Sequence, residues 1–389
     1  MQFSKRTQWD LTQTPWARLL GELRADGTKL LDLTASNPTR CGLRYDASSV
    51  LTPLADSRAL EYDPNPRGNR GARESIARYY QDHGINVDPE SLLLTASTSE
   101  AYSFLFRLLC DPGDQVLIAQ PSYPLFDFLA RLDDVRLTPY ELFYDHGWHI
   151  DVEGLRRQLR TVGSGRPRAI VVVHPNNPTG HFTRPEQRQM LENICREHDL
   201  ALIVDEVFLD YPFREPGESF AAREHGVLTF VLSGLSKVAG LPQMKAAWIA
   251  AFGEERHLAF DRLEVIADTV LSVNAAVQCA LPSWLGGRAV IQQQICERLR
   301  ANLAALDAQL AGQTMVTRLD VEGGWYAVLR IPALMPDEQT AIDLLSQRRL
   351  AIHPGYFFGF PPSGWLVVSL LPEPEEFAQG VHTLVKYFA

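Results

Sequence analysis

Between about residue 90 and residue 235 the chain alternates short, continuously apolar runs with segments of helical periodicity. SLLLT (91–95) precedes SEAYSFLFRLLC (99–110), QVLIA (115–119) precedes SYPLFDFLARL (122–132), and AIVVV (169–173) precedes PEQRQMLENICREH (185–198); ALIVD (201–205) and LTFVLS (228–233) follow. A strand buried on both faces shows no polar side, so runs of this kind separated by helices predict a parallel sheet with crossover helices. Beyond it, AVIQQQICERLRANLAALDAQL (289–310) reads as one long amphipathic helix, and GGWYAVLRIP (323–332) and WLVVSLL (365–371) as strands of a smaller α+β region. The expected fold class is α/β, with a large domain over 41–284 and a small one formed by the N-terminal arm (1–40) together with 285–389.

Composition narrows the function classes. A chain of 389 residues exceeds a usual single core, and 46% hydrophobic content can fill two. The formal net charge of -10 is spread along the sequence without a basic block, which argues against nucleic acid as a partner. The start MQFSKRTQWD lacks the apolar stretch of a signal peptide, and AIVVV is far shorter than a bilayer needs, so a soluble cytoplasmic protein with no membrane partner is expected. Cys41, Cys110, Cys195, Cys279 and Cys296 lack the paired spacing of a zinc site or a disulfide framework, so reduced thiols and no metal centre are expected.

The candidate chemistry lies where strands end, because in an open parallel sheet ligands bind beyond the carboxyl ends of the strands. TASTSEAY opens a helix after SLLLT and places the amides of Ser97, Thr98 and Ser99 either to hold a phosphate or to serve as an ordinary cap. HPNNPTG after AIVVV builds a turn that aims Asn177 back over the strand ends. Asp205 ends ALIVD, where a carboxylate either holds a pyridinium nitrogen protonated or caps a helix. Lys237, in SGLSKVAGLP, is one of five lysines beside Lys5, Lys29, Lys245 and Lys386 in an arginine-rich chain, and a lysine nucleophile is the one role arginine cannot fill. Tyr123, in QPSYPLF, either stacks on a flat heteroaromatic ligand or packs in the core.

The ordered series Tyr62 to Gly68, TASTSEA, SYP, NNPTG, DE, SGLSK and a late HPG followed by a strand resembles the class I/II aminotransferases, enzymes of the aspartate aminotransferase-like, fold type I group that use pyridoxal 5'-phosphate (PLP). The resemblance runs through essentially the whole chain. It implies a large domain with a mostly parallel sheet between helices, a smaller α+β domain, and ping-pong transfer of an amino group between a small-molecule donor and a keto acceptor. Position by position, it implies Lys237 as the Schiff-base lysine and proton shuttle, Asp205 as partner of the pyridine nitrogen, and Asn177 as donor to the ring oxygen. Tyr123 becomes the stacking ring, Ser97, Thr98, Ser99 and Ser236 phosphate contacts, and Tyr62 the tyrosine reaching the neighbouring subunit's phosphate in a homodimer.

Three departures from the family pattern bear on rate and substrate. The tyrosine usual three residues after the aspartate is Phe208, which cannot donate to the ring oxygen; Tyr211 is the nearby phenol available as a substitute. The phosphate-binding arginine falls on Lys245, which keeps the charge and loses the bidentate fork. The arginine that grips the substrate α-carboxylate falls on Val367, leaving Asn37 and Arg40 of the SNPT turn as candidate substrate contacts. That last change keeps a lyase, decarboxylase or racemase on the same scaffold as the alternative activity, with a PLP-binding regulatory domain behind it.

Overall fold

The computed structural model describes residues 1–161 and 165–389. Eight strands form one sheet in the spatial order Leu92–Thr95, Ala247–Phe252, Thr229–Gly234, Ala201–Asp205, Pro167–Val173, Gln115–Gln120, Arg136–Tyr144 and Trp148–Ile150. The centre, from Thr229–Gly234 through Arg136–Tyr144, is parallel, while Leu92–Thr95, Ala247–Phe252 and Trp148–Ile150 join antiparallel.

The period of two along these strands sorts their side chains into two cores. Leu92 and Leu94 face one core and Leu93 the other; Leu202 and Val204 face the first and Ile203 the second. Helices cover both faces, which is why every residue of Ala201–Asp205 and of Thr229–Gly234 is buried and why their sequences are continuously apolar. Three strands of this sheet were not foreseen. Ala247–Phe252 (AWIAAF) is alanine-rich, Arg136–Tyr144 (RLTPYELFY) is half-exposed and carries a proline, and Trp148–Ile150 has three residues, so none displays the β-branched apolar signal.

A third core lies around a four-stranded antiparallel sheet ordered Thr317–Arg318, Tyr326–Arg330, Trp365–Ser369, His353–Pro354, against which the long helix Ala289–Leu310 packs. The arm joins this region through Leu31–Asp32, which pairs in parallel with Leu350–Ala351. It also joins through the helix Pro15–Ala25, capped by the Thr14 hydroxyl, whose Trp16, Leu20 and Leu23 recur at helical spacing and are buried. Its first residues lie elsewhere: Arg6 pairs with Asp134 and Trp9 stands edge-on to Phe128, 5.8 Å between ring centres. Among the described residues no helix is long and apolar enough to cross a membrane.

Candidate active site

Asp205 is the last residue of its strand, level with Val173 on one side and Leu232 on the other. Its buried carboxylate accepts hydrogen bonds from the Tyr102 hydroxyl at 3.1 Å and from the Val207 amide at 3.1 Å. Burial pushes the carboxyl up to about 6, opposed by those two donors and by the charge of Lys237.

Lys237 sits on the one-turn helix Leu235–Val238, directly after the neighbouring strand Thr229–Gly234. The glycine of SGLSK has a packing reason: a Cβ at Gly234 would stand 2.8 Å from Cβ of Ala247. The Lys237 side chain reaches into an aromatic corner, with Nζ 4.6 Å from the ring centre of Trp325 and 5.5 Å from that of Phe208. The residue keeps some exposure to the cleft, yet the surrounding protein lowers its ammonium to about 8 by desolvation, with Asp205 pulling the other way. A lysine so lowered has more free amine at neutral pH, which a nucleophile and proton carrier needs.

Phe208 is buried edge-on to Trp325 (5.4 Å) and Tyr326 (6.5 Å), so no hydroxyl stands at that position. Tyr211 does not replace it, because its hydroxyl donates to the backbone carbonyl of Lys237 at 2.5 Å. Asn177 is buried with Oδ1 unpartnered, as are the hydroxyls of Ser122 and Ser233. Tyr123, 40% exposed, stands edge-on to Phe126; burial pushes its phenol up to about 12, with Tyr326 and Asp205 adding to the shift.

Ser97 caps the helix Thr98–Leu109, its hydroxyl accepting from the Glu100 amide at 3.1 Å. The next amides, Thr98 and Ser99, are first-turn donors with no acceptor inside the helix. The Glu100 carboxylate closes the turn, accepting from the Ala96 amide at 2.7 Å and the Ser272 hydroxyl at 2.5 Å. Ser236 is half-buried beside Lys237.

The remaining sequence candidates are exposed or committed to other contacts. Lys245 is exposed, in a left-handed conformation with φ 54°. Tyr62 is 85% exposed on the rim of a cavity of about 200 Å³ that it shares with Ser272 and Asn274. Asn37 accepts from the amide and hydroxyl of Thr39 to cap its own turn, and Arg40 is exposed. Val367 is fully buried between Val328 and His353. Sequence reasoning missed Tyr102, Ser122, Ser233, Trp325 and Tyr326. Tyr102 alone carries a local signal, one helical turn after the Thr98 amide.

The family model for aminotransferases of class I and II matches residues 32–384. The chain belongs to this family. Glutamate-pyruvate aminotransferase AlaA of Haemophilus influenzae is 24% identical over 380 residues, covering 94% of this chain and 92% of that one. Alanine aminotransferase of Mycobacterium tuberculosis is 27% identical over 377 residues, covering 93% and 86%. Among solved structures, an alanine aminotransferase from Pyrococcus furiosus superposes with a TM-score of 0.88 at 21% identity over 100% of this chain and 99% of that one. Substrate-bound BacF from Bacillus subtilis superposes with a TM-score of 0.86 at 19% identity, over 100% and 98%. The aminotransferase has the fold type I architecture and uses PLP to transfer amino groups.

The residues of this aminotransferase fit that cofactor. A buried carboxylate raised to about 6 suits a pyridinium N–H. The unpartnered oxygens of Asn177, Ser122 and Ser233 leave polar capacity to fill. A helix N-terminus in the same region suits a phosphate.

Proposed function

We propose that Lys237 is the amine that carries PLP and moves the proton, and that Asp205 holds the ring nitrogen protonated. Bound PLP supplies an aldehyde that takes the donor's nitrogen and a ring that withdraws electrons from Cα. Asn177 donates to the ring oxygen, Tyr123 covers the ring face, and Thr98 and Ser99 with Ser97, Ser236 and Lys245 hold the phosphate. The Lys237 amine takes the Cα proton and returns one on the other side of the nitrogen, while the aromatic corner of Phe208 and Trp325 excludes water from it. A second half-reaction with a keto acceptor runs the same steps backwards, giving ping-pong kinetics. Alanine and glutamate as donors and pyruvate as acceptor follow from the relatives' names.

The observation that carries this reading is the meeting of Asp205 and Lys237 at the carboxyl ends of two adjacent parallel strands, each desolvated and each acting on the other's charge. The exposure of Tyr62 supports a homodimer in which this residue reaches the neighbour's phosphate. The reading includes a large domain over 41–284, a small one over 1–40 and 285–389, and a cytoplasmic location. The test is the visible spectrum of the purified enzyme with PLP before and after alanine, glutamate and simple amines. Conversion of the band to the amine form of the cofactor by one donor, reversed by pyruvate, is the expected result. Turnover to free amine, pyruvate from a β-substituted donor, or racemised product overturns it in favour of a decarboxylase, lyase or racemase.

A further inference from the structure

The helix carrying Lys237 is four residues long, too short to satisfy its own carbonyls. Within the backbone the Lys237 carbonyl accepts at the turn from the Ala239 amide and from the Gly240 amide, the latter at 3.3 Å. Three side chains from three distant segments also cap this stretch. The Tyr211 hydroxyl donates to the carbonyl of Lys237 at 2.5 Å, Gln292 Nε2 to that of Val238 at 2.8 Å, and the Tyr45 hydroxyl to that of Gly240 at 2.7 Å. Gln292 is itself steadied by Asp210, whose carboxylate also accepts from the Tyr79 hydroxyl and meets His83.

Tyr211 differs from the other two because it also holds what lies over the amine. Its ring stands edge-on to Trp325 with 5.2 Å between centres, and its carbonyl accepts from the Gly324 amide at 2.9 Å, immediately before Trp325. Trp325 is the ring nearest Lys237 Nζ. One residue therefore ties down both the backbone from which the lysine departs and the wall against which its amine rests. Between those points lie four rotatable carbons, and fixing both ends restricts the amine to few positions.

We propose that Tyr211 is a positioning residue for Lys237, its hydroxyl fixing the lysine backbone and its ring and carbonyl fixing Trp325. The phenol missing at position 208 is thus present three residues on, directed at the nucleophile's backbone and not at the cofactor ring. Burial keeps the Tyr211 hydroxyl protonated, so the contact persists across the working pH range. The inference rests on the reading of Lys237 as the cofactor-bearing amine.

The test uses Tyr211→Phe, which keeps the ring and removes the hydroxyl. With five lysines in the chain, 13Cε-lysine labelling gives a spectrum in which Lys237 is assignable by a Lys237→Arg control. In the cofactor-free wild type Lys237 is expected to titrate near 8. In Tyr211→Phe the amine is freer to reach water, so its titration moves up toward the ordinary ammonium range. In the holoenzyme kcat falls about tenfold with KM within about twofold, the pattern of an interaction that positions the reacting group. Gln292→Ala, which removes a cap on Val238 and leaves Trp325 held, moves both quantities in the same direction by less, and equal effects of the two variants overturn the particular role of Tyr211. An unmoved Lys237 titration with kcat within about twofold of wild type, even with a lowered Tm, overturns the proposal and leaves Tyr211 a packing residue. Borohydride reduction of the holoenzyme followed by peptide mapping separates the two layers: label on another lysine sinks the reading of Lys237, whereas label on Lys237 with an unmoved titration sinks only the role of Tyr211.

Discussion

The residues proposed to hold the cofactor and those considered for the substrate carboxylate are built on opposite principles. Among the first, Asp205 is buried and doubly hydrogen-bonded, Tyr102 is fixed by it, and Lys237 is pinned against Trp325. Among the second, Val367 is an apolar residue inside a strand pair, Asn37 caps its own turn, and Arg40 is exposed. Rigid strand ends hold groups whose charge must survive burial, so their partners are supplied in the same fold. A recognition group on an exposed turn is held by little and is free to differ. On the proposed roles, chemistry is the constrained half of this aminotransferase and substrate choice the adaptable half.

The largest effect that bears on this contrast is expected at Lys237. Lys237→Ala loses about 10⁴-fold or more in kcat, measured by single-turnover loss of the cofactor band with the best donor. An activity within tenfold of wild type would place the nucleophile elsewhere and dissolve the contrast. Next comes Asp205→Asn, expected to lower kcat by about 10²- to 10³-fold while PLP still binds.

The same substitution has a second, opposite consequence in the cofactor-free protein. The folded-state pKa of Asp205 lies at about 6, above its unfolded value, so the group's contribution to stability is present at acid pH and is lost as pH rises through about 6. Removing the charge should raise the folding stability at pH 7 by on the order of 1 kcal/mol, seen as a higher Tm, and the gain should vanish by pH 4. Thermal melts of both proteins at the two pH values check the sign. A gain that grows toward acid would mean that the carboxylate is stabilised where it sits.

A smaller change is expected from Phe208→Tyr, which returns a phenol to the aromatic corner. A donor to the cofactor's ring oxygen favours the unprotonated nitrogen, so the visible band of the holoenzyme should titrate at lower pH than in wild type, by about one unit. An unmoved titration would show that the corner admits the ring without turning the hydroxyl toward the cofactor. The smallest effect belongs to the other set: Arg40→Ala should raise the donor's KM no more than about threefold. A tenfold rise or more would show that the exposed turn closes on the substrate and would erase the difference between the two sets.

The alternation of apolar runs and helical periods determined four of the five strands of the parallel centre by itself, Arg136–Tyr144 excepted, because strands covered on both faces must be apolar throughout. It also marked Asp205 and Lys237, since a charged residue directly after such a strand stands at the sheet's carboxyl edge whatever else the fold does. Phe208, Lys245 and Val367 were visible as departures, but not their consequences. Tertiary structure alone decided that Tyr102, 103 residues before Asp205, donates to its carboxylate, and that the Tyr211 hydroxyl caps the carbonyl of Lys237, 26 residues on. It likewise decided that Trp325 stands over the lysine amine and that Ala247–Phe252 joins the sheet antiparallel. Local pattern fixes which face of an element is apolar and where the element ends. Which distant side chain arrives there depends on how helices and sheets stack, and no neighbouring residue carries that information.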